Sequence, residues 1–383
     1  MARGVSSKRS LRVALVATRV LESAPRACDG AEIIVTELAR ELRALGHRPT
    51  VFASGDASGA VSRAAMFARP IWPHDRLAEL RHASSAWARI ATIDDFDVVH
   101  VNDAEAIPFT SFVPVPTVAT VHHDRAPSMA AHYAAYPDVA FVAVSRRQAE
   151  LSWEVPFRAV VHHGLDVARH PVGKGGRRCV FLGRVAPEGG PQIAIEAARR
   201  TRTPLALGAA PRALDHEYFE RTIAPRLGPG ITWAGEVLGP RRLELLSSAR
   251  ALLCPSHWEE PSGLGIIEAM LVGTPVIAYA CGAASEIVED GVTGFLVHDV
   301  DEMCRRIRDV SAIDRGACRA RARRRWTSAR MAREYVELYR ETIEHWSATR
   351  SRYTTPAASD EAAPASLTRT SRVRDEPSSR YRA

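Results

Sequence analysis

The 383-residue chain lacks any apolar run near the roughly 20 residues that a membrane-spanning helix needs. Its six cysteines form no CxxC pair and have no regular spacing, which argues against a disulfide framework and a zinc site. Several lie inside apolar runs, so we expect buried, reduced thiols in a cytoplasmic protein. The N-terminus resembles a signal peptide only superficially, because Arg19 interrupts its apolar stretch.

The chain also lacks a balance of charge, since its formal net charge is +7. Much of the excess lies late in the chain, in Arg319, Arg321, Arg323, Arg324 and Arg325. No aromatic residues interleave with these arginines, as a single-strand nucleic-acid surface needs, so we predict no nucleic-acid partner. A solvated helix face is the favoured interpretation, with peripheral membrane contact as the alternative. The sequence leaves the oligomeric state unknown.

Short Val-rich runs without polar alternation recur along the chain and predict buried strands of parallel sheets. The first series is Arg12–Ala17, Thr50–Ala53, Asp97–Val101, Thr117–Val121 and Ala140–Val144. The second series is Cys179–Leu182, Pro204–Leu207, Ile231–Trp233, Ala251–Cys254, Pro275–Ala278 and Gly294–Val297. Amphipathic helices are predicted between the strands, among them Ala31–Leu45, Pro191–Arg200 and Tyr218–Leu227. The alternation predicts an α/β fold of two doubly wound, Rossmann-like domains facing one cleft.

A basic, Gly-rich stretch at residues 170–177 is typical of a linker and divides the two series. We therefore predict an N-terminal domain at residues 11–170 and a C-terminal domain at residues 171–327. A helix at residues 328–347 is predicted to pack back toward the N-terminal domain. Residues 348–383 are rich in Ser, Pro, Ala and Arg and are predicted to be a disordered tail.

The segment from Leu252 to Glu268 carries the strongest functional signal. A predicted buried strand runs into a loop, and Ser262-Gly263-Leu264-Gly265 then opens a helix. The free N–H groups of a helix start favour a phosphate. Glu260 and Glu268 are carboxylates, which accept hydrogen bonds well from vicinal sugar hydroxyls. The alternative is a helix capped by Ser262 with two exposed glutamates, but the strand–loop–glycine–helix context favours a ligand site.

Arg184 directly follows the first strand of the second series. A guanidinium at that end of a strand suits a diphosphate, which it binds bidentately. Taken alone, an exposed arginine in a loop is the more common explanation.

The pattern resembles glycosyltransferase family 4, a retaining group with the GT-B fold. The matching segments are residues 260–264, 268–270, 273–276, 286–288 and 290–297, together with residues 181–184 and 195–198. The resemblance covers residues 11–347 and makes residues 11–170 the acceptor side and 171–327 the nucleotide-sugar donor domain. It implies that Glu260 contacts the donor sugar and Glu268 the ribose hydroxyls, with diphosphate on the backbone around Gly263 and Leu264.

The resemblance also implies a diphosphate contact for Arg184. The family usually has a lysine five residues later, where this chain has Gly189. A second lysine, after the Pro204–Leu207 strand, is missing as well, and Arg212 is a hypothetical substitute for it. Fewer cations beside the leaving phosphate weaken stabilisation of the transition state.

In the N-terminal half, the resemblance places Gly30 in a turn near the donor phosphates or the acceptor, although a helix start explains one glycine equally well. It places His122, which follows a strand, beside the reacting sugar. Asn102 and Asp103 are predicted to shape the acceptor site. The pairs His122-His123 and His162-His163 are not predicted to bind a metal, because neighbours on an extended chain point in opposite directions.

The function implied is transfer of a sugar, with retention, from a UDP- or GDP-sugar to the hydroxyl of an unidentified acceptor. No metal or other cofactor is implied. Two alternatives stay open: a nucleotide-sugar-binding protein with weakened catalysis, and a GT-B-type sugar-nucleotide epimerase.

Overall fold

The computed structural model describes residues 9–17, 30–53, 62–65, 76–93 and 96–354. The chain divides into two units between residues 346 and 347, and both sheets lie in the first unit. No helix in the described ranges is long and apolar enough to cross a membrane. The five cysteines of the described part are free thiols, and three of them, Cys179, Cys304 and Cys318, are buried. The predicted tail beyond residue 354 lies outside the described residues.

The first half forms one parallel sheet with the strand order β3-β2-β1-β4-β5-β6-β7. Its strands are β1 (Arg12–Val16), β2 (Arg48–Ala53), β3 (Ser62–Ala65), β4 (Val98–Val101), β5 (Thr117–Val121), β6 (Ala140–Ala143) and β7 (Phe157–Val160). The central strands are fully buried, which explains why they are rich in Val and lack polar alternation.

The second half forms a parallel sheet with the order β10-β9-β8-β11-β12-β13. Its strands are β8 (Cys179–Phe181), β9 (Leu205–Leu207), β10 (Ile231–Trp233), β11 (Leu252–Cys254), β12 (Val276–Tyr279) and β13 (Gly294–Val297). In each sheet the strand order reverses direction near the middle, between β1 and β4 and between β8 and β11. Two doubly wound sheets were predicted, and that prediction is confirmed.

Helices connect the strands. The α-helices are α1 (Gly30–Ala44), α2 (Arg76–Ile93), α3 (Pro127–Ala134), α4 (Arg146–Leu151), α5 (Pro191–Thr201), α6 (His216–Tyr218), α7 (Gly239–Ser247), α8 (Leu264–Leu271), α9 (Ala284–Ile287), α10 (Val300–Asp309), α11 (Arg315–Arg325) and α12 (Ser328–Thr354). Short 3-10 turns lie at Ala104–Phe112, Val167–Arg169, Pro187–Gly189, Ala213–Asp215, Ala224–Arg226 and Val310–Ala312.

Two predicted helix bounds are wrong. The helix predicted at Tyr218–Leu227 is broken into α6, a π-helical turn at Phe219–Ile223 and a 3-10 turn, because Pro225 lacks the N–H that a continuous helix needs. The last helix does not end at residue 347 but continues to Thr354. The first helix-breaking residue after it is Pro356, which disfavours helical geometry at the residue before it. The predicted domain boundaries stay a prediction.

One apolar cluster contains residues from both halves of the chain. It joins Leu15 of β1 and Leu38 of α1 to Leu264 and Met270 of α8 and to Tyr335 of α12. Because burial of apolar area is the main stabilising term in folding, this shared cluster holds the two sheets in one unit.

A buried polar network joins α12 to the first sheet. His100 on β4 lies 2.7 Å from the Tyr339 hydroxyl through Nδ1 and 2.7 Å from the Thr120 hydroxyl through Nε2. The Thr120 hydroxyl lies 2.7 Å from that of Tyr335. Burial lowers the pKa of His100 to about 3, with a smaller contribution from His122, so the ring is neutral and each of its nitrogens has a partner.

We predict that Tyr339→Phe lowers the free energy of unfolding by about 1–3 kcal/mol, because it leaves a buried nitrogen of His100 without a hydrogen bond. Urea unfolding measures this change. The matched control is Tyr136→Phe, which alters a partly buried tyrosine outside this network and should cost less. An unchanged unfolding midpoint for Tyr339→Phe would contradict the role of the network.

Candidate functional site

The loops that follow β8 and β11 leave the second sheet side by side, at the point where its strand order reverses. Ligands of open α/β sheets bind in the crevice at this point, outside the carboxyl ends of the strands. Arg184 lies in the loop after β8, and the segment 255–263 follows β11. The two loops contact each other, since the Glu188 carbonyl accepts a hydrogen bond of 2.9 Å from the His257 N–H.

Gly263 opens α8 in a left-handed conformation with φ of +59°. This backbone conformation favours glycine, and a Cβ atom at this position would also lie 2.4 Å from Cδ1 of Ile287, so that side chain would have to move. The first N–H groups of α8 therefore lie at the end of β11, beside the partly buried Ser262. Gly30, at the start of α1, packs here from the first half, because a Cβ on it would lie 3.0 Å from Cδ2 of Leu264.

Glu268 is the one charged residue of α8, and it is buried. Arg242 on α7 is its partner: Nε donates a hydrogen bond of 2.8 Å to Oε2, and Nη2 lies 2.6 Å from the same oxygen as an ion-pair contact. A buried carboxylate requires such a partner, because an unpaired charge inside a protein is strongly destabilising. Arg242 was not predicted from the sequence.

Glu260 is partly buried at the end of the loop before α8. Burial raises the pKa of its carboxyl, while the Gly263 N–H and the guanidinium of Arg242 lower it. Arg242 thus lies close enough to affect both predicted donor carboxylates.

Arg184 is hydrogen-bonded to Asp215, with Nε 3.2 Å from Oδ2 and Nη2 3.3 Å from Oδ1. Its Nη1 also lies 3.0 Å from Oε1 of Glu188. Arg212, the hypothetical substitute for a missing lysine, is exposed, and its carbonyl accepts a hydrogen bond from the Asp215 N–H. Arg212 therefore lies three residues before the partner of Arg184, and within the described residues no hydrogen bond or ion pair joins its side chain to Glu268 or Arg242.

Gly189 occupies a tight turn. A Cβ atom at this position would lie 2.2 Å from the Arg184 carbonyl oxygen, a distance that real Cβ atoms do not show. The next residue, Gly190, has φ of +78°, and a Cβ on it would lie 2.2 Å from the carbonyl oxygen of Pro255. At position 189, where the family usually has a lysine, the backbone of this chain therefore leaves no room for a side chain.

His122 follows β5 in the first half. Its Nε2 lies 3.0 Å from Oδ1 of Asn102, which can only accept, so Nε2 carries the proton and Nδ1 offers a lone pair. Nδ1 is buried and has no hydrogen-bond partner in the part of the chain that the structure describes. Burial lowers the pKa of His122 to about 4, with a smaller contribution from His123. The ring stacks on His163, with centroids 5.4 Å apart.

Polar contacts link the two halves beside these loops. The Trp258 indole N–H donates to Asp124 at 2.7 Å. Arg147 donates to both oxygens of Glu259, at 3.0 and 2.6 Å. Asp124 is two residues from His122, and its charge acts on Arg184, so residues of both halves face one another here.

Glu286 makes a further link. It accepts hydrogen bonds from the N–H groups of Arg146 and Arg147 at the start of α4, at 3.2 and 2.6 Å, and lies 2.7 Å from Nε2 of His162. Burial alone would raise the pKa of Glu286, but the hydrogen bonds lower it. His162 therefore has a structural partner in Glu286. No group of three or more potential metal ligands lies in the described ranges.

The structure thus groups Glu260, Ser262, Gly263, Leu264 and Glu268 around the start of α8, with Gly30 packed against them. Arg184 and His122 lie in the adjoining loops, and the exposed Arg212 lies three residues before Asp215, the partner of Arg184. The sequence interpretation missed Arg242, Asp215 and Glu259. For Arg242 a signal existed: it precedes the fully buried Leu246 by four positions on α7, which places both on one helix face.

Two family profiles match the chain. The one described as "Glycosyltransferase Family 4" matches residues 28–169, and the one described as "Glycosyl transferases group 1" matches residues 176–312. Between them they cover most of both sheets.

Individual proteins are similar as well. An alpha-maltose-1-phosphate synthase of Mycobacterium tuberculosis is 37% identical over 131 residues, which are 32% of this chain and 34% of the synthase, so the match spans about a third of that relative. The solved structure of AviGT4, a glycosyltransferase involved in avilamycin A biosynthesis, is 25% identical with a TM-score of 0.70, and the alignment covers 87% of this chain and 98% of AviGT4. Anabaena HepE, solved with UDP and glucose, is 18% identical with a TM-score of 0.69, covering 86% and 100%.

These similarities confirm the resemblance and the GT-B fold predicted from the sequence. The two profiles account for both halves, and the AviGT4 alignment extends over nearly the whole of each chain. The chain belongs to glycosyltransferase family 4.

Proposed function

We propose that the chain transfers a sugar, with retention of anomeric configuration, from a nucleoside-diphosphate sugar to an acceptor hydroxyl. The observation that carries the proposal is the grouping of Glu260 and Glu268 around the start of α8, at the point where the second sheet reverses its strand order. Helix N–H groups for a diphosphate and carboxylates for sugar and ribose hydroxyls thus lie together.

The proposed roles follow from position. The N–H groups of Gly263 and Leu264, with Arg184, stabilise the departing diphosphate by electrostatics. Glu260 orients the donor sugar, and Glu268 accepts from the ribose. Residues 171–327 form the donor domain and residues 11–170 the acceptor side. We assign no role to a metal ion or cofactor.

His122 is suited to contact the donor sugar. Its Nδ1, which has no partner among the described residues, can accept a hydrogen bond, and the family resemblance implies that the donor is a sugar hydroxyl near C6. Because burial lowers its pKa to about 4, the ring stays neutral at physiological pH and does not act as a general acid. Positioning is therefore its proposed contribution.

The identity of the donor base is also a proposal. HepE has been solved with UDP and glucose, and its fold is similar, which supports a UDP-sugar as the first donor to test. GDP-sugars are the alternative from the sequence. The acceptor loops of the first half do not identify the acceptor.

A nucleotide-sugar-binding protein with weakened catalysis is the second candidate. Two observations favour it: Gly189 replaces the family lysine, and Arg184 is already paired with Asp215 and Glu188. A cation shared with two carboxylates stabilises a leaving phosphate less than a free one does.

We expect the chain to release nucleoside diphosphate from at least one donor in a panel of UDP-, GDP- and ADP-sugars. Glu260→Gln should lower the rate by about 100-fold, because a mispositioned sugar loses the reactive geometry. The matched control, Glu196→Gln, alters an exposed ion pair on α5 and should leave the rate unchanged. Binding without turnover across the panel would support the second candidate, and conversion of a donor into its epimer would indicate the epimerase.

Restoring the family lysine should not restore catalysis. We predict that Gly189→Lys lowers the free energy of unfolding by about 1–3 kcal/mol and does not raise the rate, because its Cβ meets the Arg184 carbonyl oxygen. Gly189→Ala should cost a similar amount, since the strain begins at Cβ. Urea unfolding and initial rates measure both effects, and a stable, faster Gly189→Lys enzyme would show that the turn accommodates a side chain.

A further inference from the structure

The ribose carboxylate of the proposed donor site is held by an arginine on a neighbouring helix. Resting on the proposed function, we propose that Arg242 is a positioning residue that fixes Glu268 for recognition of the ribose hydroxyls. Its Nε donates a hydrogen bond of 2.8 Å to Oε2 of Glu268, and its Nη2 lies 2.6 Å from the same oxygen. This pairing leaves Oε1 to accept from another donor.

The local sequence explains how Arg242 reaches this place. It lies on the same face of α7 as Leu246, which is fully buried, so its side chain runs inward to α8. The guanidinium rests against Gly265, where a Cβ atom would lie 3.3 Å from Nη2. A larger residue at position 265 would press on the guanidinium, so the glycine gives it room beside the helix.

The electrostatics of the site make this arginine necessary. Glu260 and Glu268 both lie near the helix start that is proposed to hold a diphosphate, and two unpaired carboxylates there would repel it. Arg242 lies close enough to act on both carboxylates. It compensates their charge, and its planar guanidinium, which contacts Oε2 through the Nε hydrogen bond and through Nη2, fixes the orientation of Glu268 more closely than a single-point cation would.

Nucleotides that lack a single ribose hydroxyl distinguish a positioning role of Arg242 from a general structural role. Calorimetric titration with UDP, GDP and ADP first identifies the nucleotide that the wild-type chain binds. The titration is then repeated with the 2′-deoxy and 3′-deoxy forms of that nucleotide. We expect the wild-type chain to prefer the ribonucleotide over at least one deoxy form by about tenfold or more.

In Arg242→Gln the preference for the ribonucleotide over its deoxy form should fall to the value that Glu268→Gln shows. The double variant should show no further fall in this preference, because the two residues act as one unit. The control is Arg241→Gln, which removes the exposed neighbouring guanidinium and should keep the wild-type preference. An equal loss of affinity for the ribo and deoxy forms in Arg242→Gln would indicate a purely structural role and overturn the inference.

Because Arg242→Gln removes one partner of a buried ion pair, Arg242→Lys provides a second test if the first variant does not fold. A lysine keeps the charge but loses the planar guanidinium and its two-nitrogen contact with Oε2, so the preference should fall by about threefold or more. An undiminished preference in Arg242→Lys would overturn the inference. If the wild-type chain binds none of the three nucleotides, the proposed function itself fails. If the wild-type chain binds a nucleotide but the Arg242 variants keep its ribose preference, only the inference about Arg242 fails.

Discussion

A carboxylate on an apolar, buried helix must have a cationic partner, and the pairing of Glu268 with Arg242 meets this requirement. Helix α8 belongs to the cluster shared by both halves, so the chain cannot expose Glu268 without breaking its own core. Helix α7 carries the arginine that pairs with this charge, and Gly265 leaves room for its guanidinium beside α8. An ion pair of this kind fixes one geometry even where it adds little to stability.

The same helix connects the two halves of the chain. Leu264, at its start, lies against Gly30 of the first half, and polar bridges such as Arg147 with Glu259 and Trp258 with Asp124 lie around it. These side-chain contacts therefore hold loops from the carboxyl ends of both sheets next to each other. Because Asp124, two residues after His122, contacts Trp258, the loop that follows β5 lies beside the loop that leads to α8.

Much of the fold was predictable, because strands buried on both faces leave continuous Val-rich runs and the glycines before α8 mark a helix start. Short or partly exposed elements left no such signal: β7, Phe157–Val160, is only partly buried, and β3 is an edge strand of four residues. The position of Glu260 and Glu268 on the chain was readable from the motif. Their partner Arg242 was harder to identify from the sequence, because it stands next to a second arginine, Arg241. Only the helical period, which places Arg242 on the same face as Leu246, indicates which of the two points inward. The pairing of Arg184 with Asp215 joins residues 31 positions apart and depends on the tertiary fold.

The proposed function requires a nucleoside diphosphate to bind at the start of α8. A crystal structure of the chain with whichever of UDP, GDP or ADP binds most tightly would show where the nucleotide lies. We expect ribose hydroxyls within hydrogen-bond distance of Glu268 and a diphosphate on the N–H groups of Gly263 and Leu264. A nucleotide bound at another place, or in this cleft with its ribose away from Glu268, would contradict the proposed donor site.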